Sequence, residues 1–345
     1  VRRLRLDAPP SLRPAGSQGL AARRSFRDLG PIDVVSAGPE LGYRTRLRLH
    51  VDEAGRLGLY EKRSHRIVEI PGCPVSSPGI DTALGEIRAA ANGRQLALAA
   101  WSELEIRVAP AGPPVTLALR RRDPARKRSE DEAALLDELA SRFPVVEIGD
   151  EPPPASDQRW PLPGGIELHV PPGGFVQVNW AVNEKLVAAL VEGATTRQVR
   201  RFLDLYCGAG NFTLPLLMAG LDGVGIERTG ASIRAARRAA RAADLRDDSF
   251  IAADVLHELE RRARRHEPFD LVVLDPPRTG ARDGAPNLLA LAPRYIAFCS
   301  CDPVTMARDL KLLCGGGYEL ERVTGFDMFP QTHHVEALAW LARRD

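Results

Sequence analysis

The chain has 345 residues, 44% of them hydrophobic and 27% charged, with a formal net charge of +2, which suits a soluble globular protein of two or three domains. No apolar run approaches the roughly 18 residues that a membrane helix needs, and VRRLRLDAPPSL lacks the apolar centre of a signal peptide. Five scattered cysteines make no disulfide framework, so a reducing, cytoplasmic setting without a membrane partner is expected.

Residues 1–39 form an arginine-rich, irregular arm, with a helix expected around residues 18–29. From Tyr43 the sequence breaks into short alternating runs: RTRLRLHVD, RLGLYEK, HRIVEIPG, then QLALAAW, ELEIRVA and VTLALRR. Alternation with a period of two, bounded by Gly, Pro and Asp, marks half-buried antiparallel strands. EDEAALLDELASRF has the periodicity of one amphipathic helix, and the proline-rich GDEPPPASDQRWPLPGG reads as a connecting loop. Residues 40–165 are therefore expected to form a mostly β domain with a helix. Arginine blocks at 120–122, 126–128 and 261–265 offer groups for phosphate, although a bias toward arginine on solvated faces explains them equally well.

Residues 166–345 follow a different pattern. NWAVNEKLVAALVEG looks helical and RRFLDLYCGAG is a strand ending in a glycine-rich turn. Helix and strand then alternate through NFTLPLLMAG, LDGVGIE, ASIRAARRAARAADL, DSFIAAD and FDLVVLDPP. PRYIAFCSC, PVTMARDLKLLCGGG, YELERVTGFD and HHVEALAWLA complete the series. Such alternation implies an α/β fold with a doubly wound, mainly parallel sheet, whose ligands sit beyond the carboxyl ends of the strands. Cys207, Glu227, Asp254, Asp275 and Cys301 all fall there.

In the turn Asp204-Leu205-Tyr206-Cys207-Gly208-Ala209-Gly210-Asn211, the glycines allow a tight bend and close approach of a ligand. Glu227 ends the next strand, where an acid would bind ribose hydroxyls. A dinucleotide fingerprint wants a third glycine where Thr213 stands. With Asp254 near the adenine and DPP at Asp275, the pattern suits S-adenosylmethionine better, a nucleotide of another kind being the alternative. Amino-directed methyltransferases place an aromatic residue after a similar (D/N)PP; Arg278 holds that position here. The loop also lacks the Pro-Cys pair of cytosine carbon-5 enzymes.

Carbon 5 of uracil is a poor nucleophile. A thiolate added to carbon 6 makes the ring an enolate that can attack a sulfonium methyl, and a base must then remove the carbon-5 proton. Cys301 ends a strand just before a helix whose N-terminus would favour the thiolate. Glu336 is the lone acid in the apolar strand VEALAWLA, where it needs a reason. Taken alone, Cys301 reads equally as a small buried hydrophobe. Cys299-Ser300-Cys301 is too close for a metal pair, and no metal site is expected. Cys299 points the same way one pair further in, toward the core.

Together, GGFVQVNWAVNEKLV, LDLYCGAGNFTLPL, VGIE, LDPPR, SCDPVTMARDL and DMFPQTHHVE resemble the RNA 5-methyluridine (uracil carbon-5) methyltransferase family. The resemblance implies a Rossmann-like class I methyltransferase domain preceded by an RNA-contacting β domain. It implies Cys301 as nucleophile and Glu336 as base. It implies Gln177, Tyr206, Gly208, Gly210, Asn211, Glu227, Asp254 and Asp275 as the S-adenosylmethionine site. RNA is the implied partner, with ribosomal RNA favoured over transfer RNA, and a monomer is expected. A cytosine carbon-5 enzyme and an inactive RNA-binding factor of the same fold are the alternatives. The chain departs from the family in having Asp302, where Asn usually follows the nucleophile; a carboxylate there should raise the thiol's pKa unless it is turned away or paired. Many members also carry an N-terminal β-barrel and an iron–sulfur cluster on four cysteines. Only Cys73 matches one of those, so no cluster is expected in this chain.

Overall fold

Alternation along RLRLHV puts Leu47, Leu49 and Val51 on one face of the strand Arg46–Val51, with Arg46, Arg48 and His50 on the other. In the computed structural model, which describes residues 32–110, 112–148 and 157–344, this division sets the architecture of one of two compact units. The helix expected around residues 18–29 and part of the proline-rich stretch lie outside the described residues. Of the rest of that stretch, Gln158–Pro161 is a short strand rather than loop.

The unit formed by residues 39–161 and 169–180 is built on a six-stranded sheet. Its order is Ile67–Val68, Leu57–Tyr60, Arg46–Val51, Trp101–Ala109, Gly112–Arg121 and Val145–Glu147, antiparallel except for the last pair. The apolar face packs Leu47, Leu49, Leu104, Ile106 and Leu117 against Ile80, Leu84, Leu135 and Leu139 of two helices. One is the expected amphipathic helix, Glu130–Arg142. Ser129 starts it with a reciprocal capping box: its hydroxyl accepts from the Glu132 N–H, and the Glu132 carboxylate accepts from the Ser129 N–H. The other, Pro78–Ala91, went unread, although it opens with proline and Asp81 and buries Ile80, Ala83, Leu84 and Ile87 at helical spacing. QLALAAW is also a correction: Gln95–Leu98 is a helical turn, and the chain enters its strand only at Trp101. Leu96 is exposed while Ala97 and Leu98 are adjacent and buried, a pattern a half-buried strand cannot give.

The polar face of this sheet holds a buried ion cluster. Glu105, 1% exposed, takes Arg48 and Arg107 as hydrogen-bonded partners and has Arg46 3.8 Å away. Arg107, also buried, donates to the carbonyls of Pro171 and Gly174, and Thr45 donates to the carbonyl of Val178. These bonds sew residues 171–178, which carry Gln177, onto the sheet, and Arg46 lies 5.3 Å from the Phe175 ring centre. The arginine blocks are already paired: Arg120 faces Glu103, Arg121 and Arg126 face Glu132, and Arg128 faces Glu147. Arg122 instead donates to the carbonyls of Ala99 and Val51.

In the other unit (described residues up to Gly38, Leu162–Leu168 and from Ala181 on), apolar strands alternate with helices. The strands are β1 (Val34–Val35), β2 (Arg201–Leu205), β3 (Asp222–Glu227), β4 (Phe250–Ala252), β5 (Leu271–Leu274), β6 (Tyr295–Ser300), β7 (Tyr318–Phe326) and β8 (Glu336–Arg343). The helices are α1 (Trp180–Thr196, its first residue in the other unit), α2 (Thr213–Met218), α3 (Gly230–Ala242), α4 (Val255–Arg264), α5 (Ala285–Leu291) and α6 (Pro303–Gly315). The sheet order is β1-β7-β8-β6-β5-β2-β3-β4, all parallel except β8, which runs against β6 and β7. Strand β2 has β3 on one side and β5 on the other, so the winding reverses there and opens a crevice at the carboxyl ends. Arginines of α4 are likewise paired, Arg261 and Arg262 with Glu258 and Arg264 with Glu260. No described helix is long and apolar enough to cross a membrane.

Removing the buried cation should expose the cost of this ion cluster. Arg107→Met is expected to lose about 3 kcal/mol in urea unfolding, because the Glu105 charge stays buried with a weaker set of partners. Arg107→Met with Glu105→Leu should recover most of that loss.

Candidate active site

The crevice is shaped first by the glycine-rich turn after β2. Tyr206 takes φ +67°, Gly208 +56° and Gly210 +98°, and a Cβ on Gly210 would sit 3.0 Å from both Leu214 and Phe250. A left-handed tyrosine is a strained backbone held by its surroundings. Here the Cys207 N–H donates to Ile226 and the Gly210 N–H to Cys207. Beneath the turn the fully buried Asp204 accepts a 2.6 Å hydrogen bond from the Thr213 hydroxyl at the start of α2. Burial pushes the Asp204 carboxyl up to about 7, against the hydrogen bond from Thr213. This clasp occupies the place of the dinucleotide fingerprint's third glycine. It needs Gly225 beside it, where a Cβ would come within 2.6 Å of the Thr213 hydroxyl.

The other cofactor candidates of this unit stand around the turn. Asn211 exchanges two hydrogen bonds, of 2.9 and 3.0 Å, with the side chain of Asn183, which α1 buries completely. Asn183 was not singled out in the sequence, though an asparagine on the apolar side of a helix is the signal. Glu227 ends β3 and accepts the Thr229 N–H on one oxygen, and Asp254 caps α4 by accepting the His257 N–H. A small apolar recess beside the turn is lined by Leu205, Tyr206, Val255, Leu256, Leu274 and Ala281. The Tyr206 phenol at its side is raised above its ordinary pKa by burial and by the Asp254 carboxylate. Gln177, buried at 7% exposure, belongs to the other unit.

The thiol and two carboxyls gather at the mouths of β5, β6 and β8. Cys299 is buried within β6, whereas Cys301, just beyond its end, is half-buried. Asp275 leaves β5, and Glu336 opens β8 at 3% exposure. Burial pushes Asp275 up to about 6; burial and then Asp275 hold Glu336 well above the usual carboxylate range. Two such neighbours do not both ionise readily, so a charge on Asp275 opposes one on Glu336. The Cys301 thiol is raised by burial and by Glu336, while the positive charge of Arg278 acts the other way. A thiolate favoured by the helix N-terminus is therefore not what the structure shows. Asp302 caps α6, its Oδ1 accepting from the N–H groups of Val304 and Thr305 at 2.9 and 3.0 Å. That carboxylate is consumed by the helix end, and it cancels the positive end that would have favoured sulfur's charge.

Among the described residues no group of three or more His, Cys, Asp or Glu is arranged to hold a metal. Cys73 is part-buried against the core of the β-rich unit, its N–H donating to Asp81.

Comparison with known proteins gives a consistent picture. A family model described as tRNA (Uracil-5-)-methyltransferase matches residues 166–344. A 23S rRNA (uracil(1939)-C(5))-methyltransferase RlmD of Klebsiella pneumoniae is 33% identical over 324 residues, 91% of this chain and 73% of that protein. The protein of the same description in Aeromonas hydrophila is 33% identical over 335 residues, 92% of this chain and 75% of its own length. In fold, the chain is similar to the Pyrococcus abyssi tRNA (uracil-54, C5)-methyltransferase crystallised with S-adenosyl-L-homocysteine. The TM-score is 0.69 at 22% identity, over 94% of this chain and 82% of that one.

The capping role of Asp302 makes a quantitative expectation. Asp302→Asn should leave stability within a few tenths of a kcal/mol, and Asp302→Ala should cost about 1 kcal/mol in chemical denaturation. Asp204 adds a pH dependence of defined sign. Its folded carboxyl holds a proton up to about 7, against an ordinary value of 3.8. The native chain should therefore lose stability relative to Asp204→Asn as pH rises through that window, with a constant gap above it. Denaturation midpoints below, within and above the window check this.

Proposed function

The chain belongs to the RNA uracil carbon-5 methyltransferase family, enzymes that use S-adenosylmethionine, and on that premise we propose that it converts a uridine of ribosomal RNA to 5-methyluridine through a covalent Cys301 adduct. The observation that carries the reading is the meeting of one half-buried thiol with two carboxyls, Asp275 and Glu336, at the mouths of β5, β6 and β8, beside the crevice opened by the turn after β2. The names of the bacterial relatives favour ribosomal over transfer RNA.

The residues around the turn fit the methyl donor. Gly208, where a Cβ would meet open space, leaves the approach clear, Gly210 lets the turn close over Leu214 and Phe250, the apolar side chains beside Tyr206 would take the adenine, and Glu227 the ribose hydroxyls, with Asp254 close by at the start of α4. Gln177, Asn211 and Asp275 complete the proposed set. Bound there, S-adenosylmethionine supplies an electrophilic methyl group.

The chain's own residues do the rest. The Cys301 thiolate adds to carbon 6 of uracil, forming an S–C bond and pushing the ring's electrons toward carbon 5 and its neighbouring carbonyl. Once carbon 5 bears the methyl group, the Glu336 carboxylate takes the remaining carbon-5 proton. The electron pair of that C–H bond restores the double bond, and the S–C bond breaks to return the thiolate. Glu336 acts in its ionised form, which burial and Asp275 disfavour. The target uridine must leave its stack to reach such a pocket, which favours a loop or other unpaired segment. We assign the β-rich unit of residues 39–161 and 169–180 to holding the surrounding RNA.

RNA carrying 5-fluorouridine tests this reading, since fluorine cannot leave as a proton does. With the methyl donor present, a ribosomal RNA fragment so labelled should form a denaturation-resistant adduct that Cys301→Ala abolishes. Absence of an adduct with the native chain contradicts the mechanism and favours an inactive RNA-binding factor. Glu336→Gln should accumulate the adduct on ordinary uridine and slow turnover by about 100- to 10,000-fold. Both the thiol and Glu336 work without their protons and both are raised, so kcat/KM should climb with pH through neutrality and above.

A further inference from the structure

We propose that the ring stack of His50, Tyr60 and His65, at one end of the six-stranded sheet, is a platform on which an unpaired base of the bound RNA stacks. That base is distinct from the uridine that is methylated. The inference rests on the reading of the chain as an RNA-modifying enzyme and gives the β-rich unit its mode of grip.

Two strands and a turn build the stack. His50 lies on the polar face of Arg46–Val51, and Tyr60 is the last residue of Leu57–Tyr60; their rings meet at 3.8 Å between centres and 10° between planes. His65, on the turn toward Ile67–Val68, meets Tyr60 edge-on at 5.2 Å and 78°. Gly58 pairs with His50 across the ladder and has no room for a side chain, since a Cβ would fall 2.1 Å from the Val68 carbonyl oxygen. The imidazole therefore has no cross-strand side chain to pack on and lies on Tyr60 instead. Burial, with Arg48 and His65 and against Glu103, holds the His50 imidazole below its ordinary pKa, so it stacks as a neutral ring at neutral pH. Inside a core such a stack would need no further reason, but here Tyr60 is 43% exposed and His65 is exposed.

The turn beside the stack supplies matching charge. Glu61 is taken by Arg66, whose Nε donates to it at 2.8 Å, and the Glu61 N–H donates back to the Arg66 carbonyl. Lys62 and Arg63 at the tip are exposed, and among the described residues neither side chain has a carboxylate partner. Arg120, Arg121, Arg126 and Arg128 are by contrast matched by glutamates. Exposed rings offer a face to any base, and unmatched cations beside them offer charge to the phosphates on either side. A paired base has both faces covered by its neighbours, so the platform selects single-stranded segments.

The test titrates the full chain, without methyl donor, into an oligouridylate of about 12 nucleotides that carries one 2-aminopurine at its centre. Anisotropy of a terminal dye gives affinity, and 2-aminopurine fluorescence falls when that base stacks. The native chain should bind and quench, and should bind the same strand more weakly in a duplex. Tyr60→Ala should weaken binding about 5- to 150-fold and remove the quenching, whereas Tyr60→Phe should keep both. Replacing Lys62 and Arg63 by alanine should flatten the dependence of log affinity on log salt by about 0.7 per cation; Tyr60→Ala should leave that slope unchanged. If Tyr60→Ala does not fold, His65→Ala carries the test, with a smaller loss in the same direction. Folded variants that bind and quench as the native chain does overturn the proposal. So does native binding without quenching, which would give this face to a protein instead. Either outcome leaves fluorouridine trapping at Cys301 to judge the methylation reading, and failed trapping with quenching intact would leave the platform on an RNA-binding factor.

Discussion

Competition for protons at one sheet edge governs this molecule. Cys301, Glu336 and Asp275 lie where burial disfavours every negative charge; Asp275 raises the cost of ionising Glu336, and both raise that of ionising Cys301. Carbon-5 methylation requires two of these groups to work without their protons at different moments, sulfur first and Glu336 last. A site that held both ionised at rest would be costly, and one that held neither would be inert.

The fold serves that chemistry through strand ends. The antiparallel β8 between β6 and β7 brings Glu336 to the same edge as Cys301, although the two are far apart in the chain. The reversal at β2 opens the crevice beside them. Below it, the Asp204–Thr213 clasp and the Asn183–Asn211 pair hold the glycine-rich turn from inside. In the β-rich unit, Arg107 and Glu105 perform a similar service for the segment that carries Gln177.

Much of this was legible in the sequence, and what was missed has physical causes. Strand runs such as LVVLDPP and the glycine turn announce themselves because apolar runs and glycines are local signals. The helix Pro78–Ala91 was overlooked because its buried face is rich in alanine, which gives a weak apolar stripe. QLALAAW misled because four alternating residues fit a strand or a helical turn equally. Asp302 could be flagged as a departure, but only its hydrogen bonds reveal a helix cap rather than a neighbour that burdens sulfur. The partner of Asn183 is likewise long-range, and no local pattern encodes it. The arginine blocks were the least readable feature, since composition names the cations and not the glutamates beside them.

Tritium release from RNA labelled at carbon 5 of uridine tests the central claim most directly. Each methyl group transferred by the native chain should be matched by one tritium lost to water, because the proton removed is the one carbon 5 carries. Methyl transfer to that RNA without tritium release would place the methyl elsewhere and contradict the account.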